Sequence, residues 1–478
     1  MCHMLGSPMK KKCTLSAFWI IVLIIWFVLV GYSHFVAAQT ATNVSGTVAS
    51  DAAWIKANSP YNFTANVLVN SGVTLTIEAG TTVDLNSHYI RVDGTLIIEQ
   101  GVVINIKSAA EHGSIQVNGV MTARGTRSNP IQINGAVSGQ YLSPDYSSII
   151  FSQSSSGWNE NNGSGSIIEN AMAYSTYLEI EDSLKIVGVT FVDGGISILD
   201  GSPVISNCSI GCRVSISGGS PVIAGNSIVG GFVSFYGKTG GENVVISDNV
   251  ISGAQTTMGK GTAGIWFGGS QESGGHVLIQ RNLITDNQEG IQIFRPNFEE
   301  LKTSLIIQNN TIANNTVAIS VLSRCSPIII WNNIYSFSFN IQLSQDATDD
   351  IDAANNWWGT TDDNKISQSI YDSRNDSSLG TVTYDPFLTV LNPNATPDSS
   401  ASSTTIPVPT ATPTPTSTPS VSPSPKATSS PEPTPTSKPV LSQETLQDGQ
   451  LETIIFMGVT LIVCGAGAGF LIYLIKRN

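Results

Sequence analysis

Trp266 and the two stretches that flank the strand after it bring together the residue types that recognise a sugar. Residues 252–276 carry Lys260, Glu272 and His276, and residues 294–304 carry Arg295, Glu299, Glu300 and Lys302. An aromatic side chain presents a flat apolar body to solvent, a surface on which a sugar ring packs. Amide, guanidinium and carboxylate groups supply donors and acceptors for its hydroxyls. The carbohydrate-binding candidates are therefore Trp266, Gln292, Arg295 and Glu299. The plainer reading has Trp266 covered by its own Gly-rich insertion, and the sequence leaves both open. Glu299 and Glu300 beside Arg295 could do acid–base work. Consecutive residues on an exposed loop are more often solvated charge, and no catalytic residue is assigned.

What positions these groups is an internal repeat. Seven blocks align, beginning at Pro203, Pro221, Val244, Val277, Leu305, Pro327 and Ile351; the first reads PVISNCSI. Their third and eighth residues are Ile in the first six, and the sixth is Asn in all but the first, where it is Cys208. A shorter block follows each of the first six: RVSI after Cys212, FVSF after Gly231, GIWF after Ala263, GIQI after Glu289, AISV after Val317 and NIQL after Phe339. Apolar residues alternate at period two, the mark of strands with one buried face. Short strands recurring every 18 to 33 residues fit an all-β solenoid of stacked coils. Longer coils of the same kind start at Gly72, Gly94 and Gly119. About 12 coils at the spacing of paired strands make a rod of roughly 55 to 60 Å. Its exposed ends need covering, and caps are expected at residues 40–60 and 357–391.

Stacking also assigns side chains. The sixth-position Asn is expected to take left-handed backbone angles at a turn and to pass amide hydrogen bonds from coil to coil, with Cys208 breaking the ladder. If Ile265 and Phe267 point inward, one outward row reads Ser197, Ser215, Ser234, Trp266, Gln292, Ser320 and Gln342. Asp248 and Arg281 share a block position and stack about 5 Å apart as a surface ion pair. Asp346, Asp349, Asp350 and Asp352 have oxygens suited to a structural Ca2+, without the spacing of a Ca2+ loop; no other metal or cofactor is expected. Cys325 lies about 24 Å along the axis from Cys208, too far for a disulfide. Cys208 with Cys212 is the feasible pair.

Charge and hydropathy bound the partners and the topology. The chain of 478 residues carries a net charge of −13, which argues against nucleic acid. An apolar run from Leu15 behind Lys10, Lys11 and Lys12 ends in small residues. It reads as a signal peptide over 1–38, or as an uncleaved anchor. Residues 39–391 form the ectodomain. The Pro/Thr/Ser-rich stretch 392–453 cannot bury a core and reads as a disordered stalk. Residues 454–475 are uncharged and long enough for one transmembrane helix, with 476–478 as a cytoplasmic tail behind Lys476 and Arg477. Gly465 and Gly469 have the spacing that lets two such helices approach. Eight N-x-S/T sequons suit an exported protein.

The coil pattern resembles that of the right-handed parallel β-helix proteins of pectate-lyase-like fold. So do the opening SGVTLTIEAGTTV from Ser71 and GVMTARGTRSNPIQI from Gly119, and the closing NNWWGTTDD from Asn355 and TVTYDPFL after Gly380. The resemblance spans about residues 60–391 and is to microbial surface members. It implies the right-handed β-helix and a fold that hosts hydrolases, lyases, epimerases and adhesins. Hydrolase members carry clustered Asp residues with His and Arg-x-Lys segments, which follow neither Asp349-Asp350 nor Asp362-Asp363 here. Lyase members use an Arg-x-Pro-x-x-Arg setting, from which Arg295-Pro296-Asn297-Phe298-Glu299 departs. The expectation is a noncatalytic, membrane-anchored surface β-helix that binds carbohydrate or builds the cell envelope. The alternative is an anchored polysaccharide lyase or glycoside hydrolase.

Overall fold

The alternating blocks become strands that pair in parallel with their counterparts one coil away, as in Val222–Ala224 against Asn243–Ser247. The computed structural model describes residues 40–106, 114–135, 149–236, 243–254, 263–268, 275–294, 304–344 and 346–397. Among these residues the strands gather into sheets of 23, 12 and 2 members. Each central coil gives one strand to the 12-stranded sheet and two to the 23-stranded sheet; Val222–Ala224, Ser227–Val229 and Phe232–Phe235 are one such set. The described residues form a parallel β-helix.

Its interior is a set of vertical columns. Ile205, Ile223, Ile246, Ile279, Ile307 and Ile329 pair in direct register. So do Ile210, Ile228, Ile251, Ile284, Ile312 and Ile334. No member of either column is more than 1% exposed. A third column, Val214, Val233, Ile265, Ile291, Ile319 and Ile341, is equally buried. Each such side chain contributes about 1.5 to 3 kcal/mol by leaving water, and the strands of these columns keep their register although the coils differ in length, whereas the first coils shift register at Val44/Gly46 and Asp84/Asn86.

The corner between the first two strands is held by the expected ladder. Asn226, Asn249, Asn282, Asn310, Asn332 and Asn356 are buried one above another. Asn249 Nδ2 donates to Asn282 Oδ1 at 2.9 Å, and Asn282 Nδ2 to Asn310 Oδ1 at 2.9 Å. Each amide also serves the backbone: Asn282 Nδ2 donates to Ile246 O, and Asn282 Oδ1 accepts from Asn249 N. The left-handed backbone, however, belongs to the fifth block position. Asn207, Gly225, Asp248, Arg281, Asn309, Trp331 and Asn355 have φ between 51° and 67°. The left-handed residue turns the chain so that the next side chain points inward, which is why the ladder residue itself need not adopt that angle. Cys208 fills the first rung with its thiol donating to Ser206 O at 3.2 Å.

A second corner repeats the device. Gly253, Asp286 and Asn314 are left-handed, and Ala254 N, Asn287 and Asn315 follow as rungs, with Asn287 Nδ2 donating to Asn315 Oδ1 at 3.1 Å. Residues 40–60 are an ordinary first coil: Thr42–Val48 pairs with Tyr61–Val69, Ala52–Trp54 with Thr74–Ile77, and Trp54 stacks on Tyr61 with centroids 5.0 Å apart.

The other end is closed by a short helix, Asp363–Gln368, whose N-cap Asp362 accepts from Asn364 N and Lys365 N and whose Ile366 is buried. Beyond it Asp372, fully buried, pairs twice with Arg374 (2.9 and 2.7 Å) and accepts from Val382 N at 2.9 Å. The domain runs past the expected boundary at residue 391. Asn392 N donates to Asn333 Oδ1 at 2.8 Å, Asn392 Nδ2 to Asn309 Oδ1 at 3.0 Å, and Ala395 O accepts from Thr311 Oγ1 at 2.6 Å. The signal segment 1–38, the rest of the stalk, the segment 454–475 with Gly465 and Gly469, and the tail 476–478 lie outside the described residues. Among those described, no helix is long and apolar enough to cross a membrane.

Two outcomes follow for stability. Asn282→Ala strands Ile246 O and Asn249 N in the dry corner and should cost about 2 to 4 kcal/mol in thermal unfolding, whereas Cys208→Asn, which extends the ladder, should leave the melting temperature equal or higher. Burial alone would raise the Asp372 carboxyl, but hydrogen bonds from Arg374 and the Val382 amide outweigh it and hold it below the usual carboxylate range. A depressed folded-state value stabilises above the unfolded value of about 3.9 and is lost on acidification through the folded one. Stability should therefore fall as pH drops below about 4, and Asp372→Asn should be less stable at pH 7 with a flatter acid limb.

Candidate functional site

Inward pointing of Val233, Ile265 and Ile291 forces the residue after each of them outward. The row runs in unbroken register, Ser197, Ser215, Ser234, Trp266, Gln292, Ser320, Gln342. Trp266 thus stands on the outer surface between a hydroxyl and an amide. Its ring lies 4.8 Å from that of Tyr236, tilted by 51°. It also lies across Gly268, where a Cβ would come within 2.1 Å of the indole Cη2. The ring is half-buried against its own strand end, and Tyr236, 37% exposed, is the more open of the two.

Arg213 joins the rings to the serines. Its guanidinium sits 5.0 Å from the centre of Tyr236 and 5.7 Å from that of Phe232. Nε donates to Ser234 Oγ at 2.9 Å, and Nη2 lies 3.5 Å from Ser215 Oγ. Ser234 is fully covered as a result. Gln292 donates to Glu289 through Nε2. Burial pushes the Glu289 carboxyl up, and the Gln292 bond offsets part of that. Tyr177, in the neighbouring outward column with Gly195 and Arg213, is buried, and this raises its phenol while a hydrogen bond with Ser197 opposes the shift.

Trp266 and Gln292 are therefore adjacent, as the row requires, whereas Arg295 and Glu299 lie outside the described residues, as do Lys260, Glu272, Glu300 and Lys302. Sequence reasoning missed Tyr177, Arg213, Phe232, Tyr236 and Glu289. Arg213 and Phe232 were findable, since each sits two residues before a serine of the outward row; Tyr236 directly follows its block and carried no periodic signal. Asp248 and Arg281 pair as expected, bidentate at 2.7 Å for both bonds, but with the Asp248 carboxylate buried and not at the surface.

Asp349 is engaged by Arg324 at 3.1 Å, Asp350 accepts from Thr381 N, and Asp352 accepts from Ala354 N. Among the described residues no three His, Cys, Asp or Glu side chains are grouped to hold a metal. Cys208 and Cys212 are not joined: both are free and buried, as is Cys325. The sulfur of Cys208 is turned into its ladder rung, where burial pushes the thiol to about 11. The thiols of Cys212 and Cys325 are pushed to about 12, so none is a ready nucleophile.

Residues 194–358 match the family model described as "Right handed beta helix region". No curated protein and no solved structure matches the chain. The indole position depends on the bare Gly268: Gly268→Ala should drive the ring off Tyr236, seen as a red shift of Trp emission, while Gly268→Ala in a Trp266→Ala background should leave the spectrum unchanged.

Proposed function

We propose that this chain, a right-handed parallel β-helix, is a noncatalytic surface protein that binds carbohydrate or builds the cell envelope through the Trp266 row. The supporting observation is the register that sets Trp266 between Ser234 and Gln292 with Tyr236 and Arg213 alongside. Two rings give apolar faces edged by the Arg213 guanidinium, while Ser234 and Gln292, both covered, hold the row in place through Arg213 and Glu289. A rigid sheet holds all of them in place before a ligand arrives, so little ordering cost remains. On this reading, cleavage after Ala38, the stalk and a membrane helix over 454–475 would display the rod outside the cell, with Gly465 and Gly469 available for pairing of two anchors.

Glu289 favours a second reading, an anchored polysaccharide lyase or glycoside hydrolase, because a half-buried carboxyl raised by burial suits a general acid. A glycosidase also needs a second carboxyl about 5 to 9.5 Å away. Glu179, which shares the outward row, stands five strands from Gln292, or roughly 24 Å. Glu272 and Glu299, both outside the described residues, are the candidates the sequence offers as its partner.

Screening the full-length protein on a polysaccharide array, with reducing-end release scored in parallel, separates the two. The expected result is binding without release, weakened about tenfold by Trp266→Ala or Tyr236→Ala, which is about 1.4 kcal/mol. Binding indifferent to both substitutions would remove the first reading. Release abolished by Glu289→Gln would replace it with the second.

A further inference from the structure

A separate groove lies over the 12-stranded sheet, near the start of the repeat. The loop before Ile167 crosses several coils: Ser156 N donates to Gly119 O at 2.8 Å and Trp158 N to Ser183 O at 2.7 Å. An antiparallel bridge between Asn159 and Ser164 closes its tip. Gly165 passes so near Gly157 that a Cβ would lie 2.0 Å from the Gly157 carbonyl oxygen. Between loop and sheet is a cleft of about 630 Å3, lined by Val120, Thr122, Arg124, Ser156, Trp158 and Ser164 among others. That volume falls within the range of small-ligand sites, about 300 to 1,000 Å3. Ile167, outward-facing beside Thr122, is only 2% exposed.

The charges around Trp158 cancel. The Arg124 guanidinium and the Lys185 ammonium each sit 5.2 Å from the indole centre. Arg124 pairs with Glu169 at 2.7 Å and Lys185 with Glu160 at 2.5 Å. With the ring engaged by two cations, the indole works as a wall and not as a stacking platform. A balanced quartet exerts no net pull on an anion. What it offers instead is alternating donors and acceptors, the pattern that neighbouring hydroxyls match. The Thr122 and Ser156 hydroxyls, which no other described residue engages, add two more such groups.

We propose that this cleft is a second carbohydrate subsite, taking a neutral sugar unit through its hydroxyls, on a different sheet from the Trp266 row. It rests on the reading of the chain as a carbohydrate binder and names the class of sugar and the place. The full-length protein titrated with cellohexaose, maltohexaose and chitohexaose, with hexagalacturonate as the acidic control, tests it. Thr122→Val with Ser156→Ala removes the two hydroxyls and touches none of the bonds that shape the loop; an unchanged melting temperature verifies the fold. Measured in a Trp266→Ala background, which removes the first site, at least one neutral hexaose should still bind, and about tenfold more weakly once the double variant is added. Neutral binding that ignores the double variant, or that is lost in Trp266→Ala instead, overturns the subsite and leaves the Trp266 row standing. Binding of hexagalacturonate alone does the same. Binding of no glycan on the array removes both.

Discussion

A parallel coil turning a corner buries backbone amides and carbonyls that no strand can reach, and the asparagine side chain is what satisfies them. Its carbonyl accepts from the amide of the coil before, and its NH2 group donates to a carbonyl of that same coil and to the next asparagine. A buried polar group left without a partner costs about 1 to 3 kcal/mol, so each rung fixes the height of one coil against its neighbour. Register in a sheet cannot be shared halfway, since a slip of one residue would exchange the inner and outer faces. The isoleucine columns and the outward row thus follow from one requirement at the corner.

The two tryptophans show how the same scaffold yields different chemistry. Trp266 meets another ring and a bare glycine, with Arg213 held at a distance by serines. Trp158 meets two cations, each with its own carboxylate. The first arrangement leaves aromatic surface beside polar groups; the second spends that surface internally and leaves hydroxyls. Both depend on segments between strands, where length can change without disturbing the stacked coils.

Much of this was legible before any coordinates, because period-two alternation repeated once per coil leaves few alternatives. The inward isoleucines, the outward row, the ladder and the Asp248–Arg281 pair all come from block position alone. The left-handed site was misplaced by one residue because Asn is common at both positions, as in Asn309-Asn310, and composition cannot say which of two neighbours bends. Arg281 and Trp331 in that conformation carry no local signal at all; the ladder on either side imposes it. The second corner was missed although Asp286-Asn287 and Asn314-Asn315 repeat the same dipeptide type. Tyr236 contributes through contacts across coils, which a linear pattern does not encode.

The short segment from Asn392 to Ala395 changes how the chain leaves the rod. It is fastened to Asn309 and Thr311 in one coil and to Asn333 in the next. Tension applied along the polypeptide beyond Pro397 would reach these fastenings before the final helix or the last strands. It would be shared between two coils through bonds that must break together, a latch that resists peeling of the terminal turn.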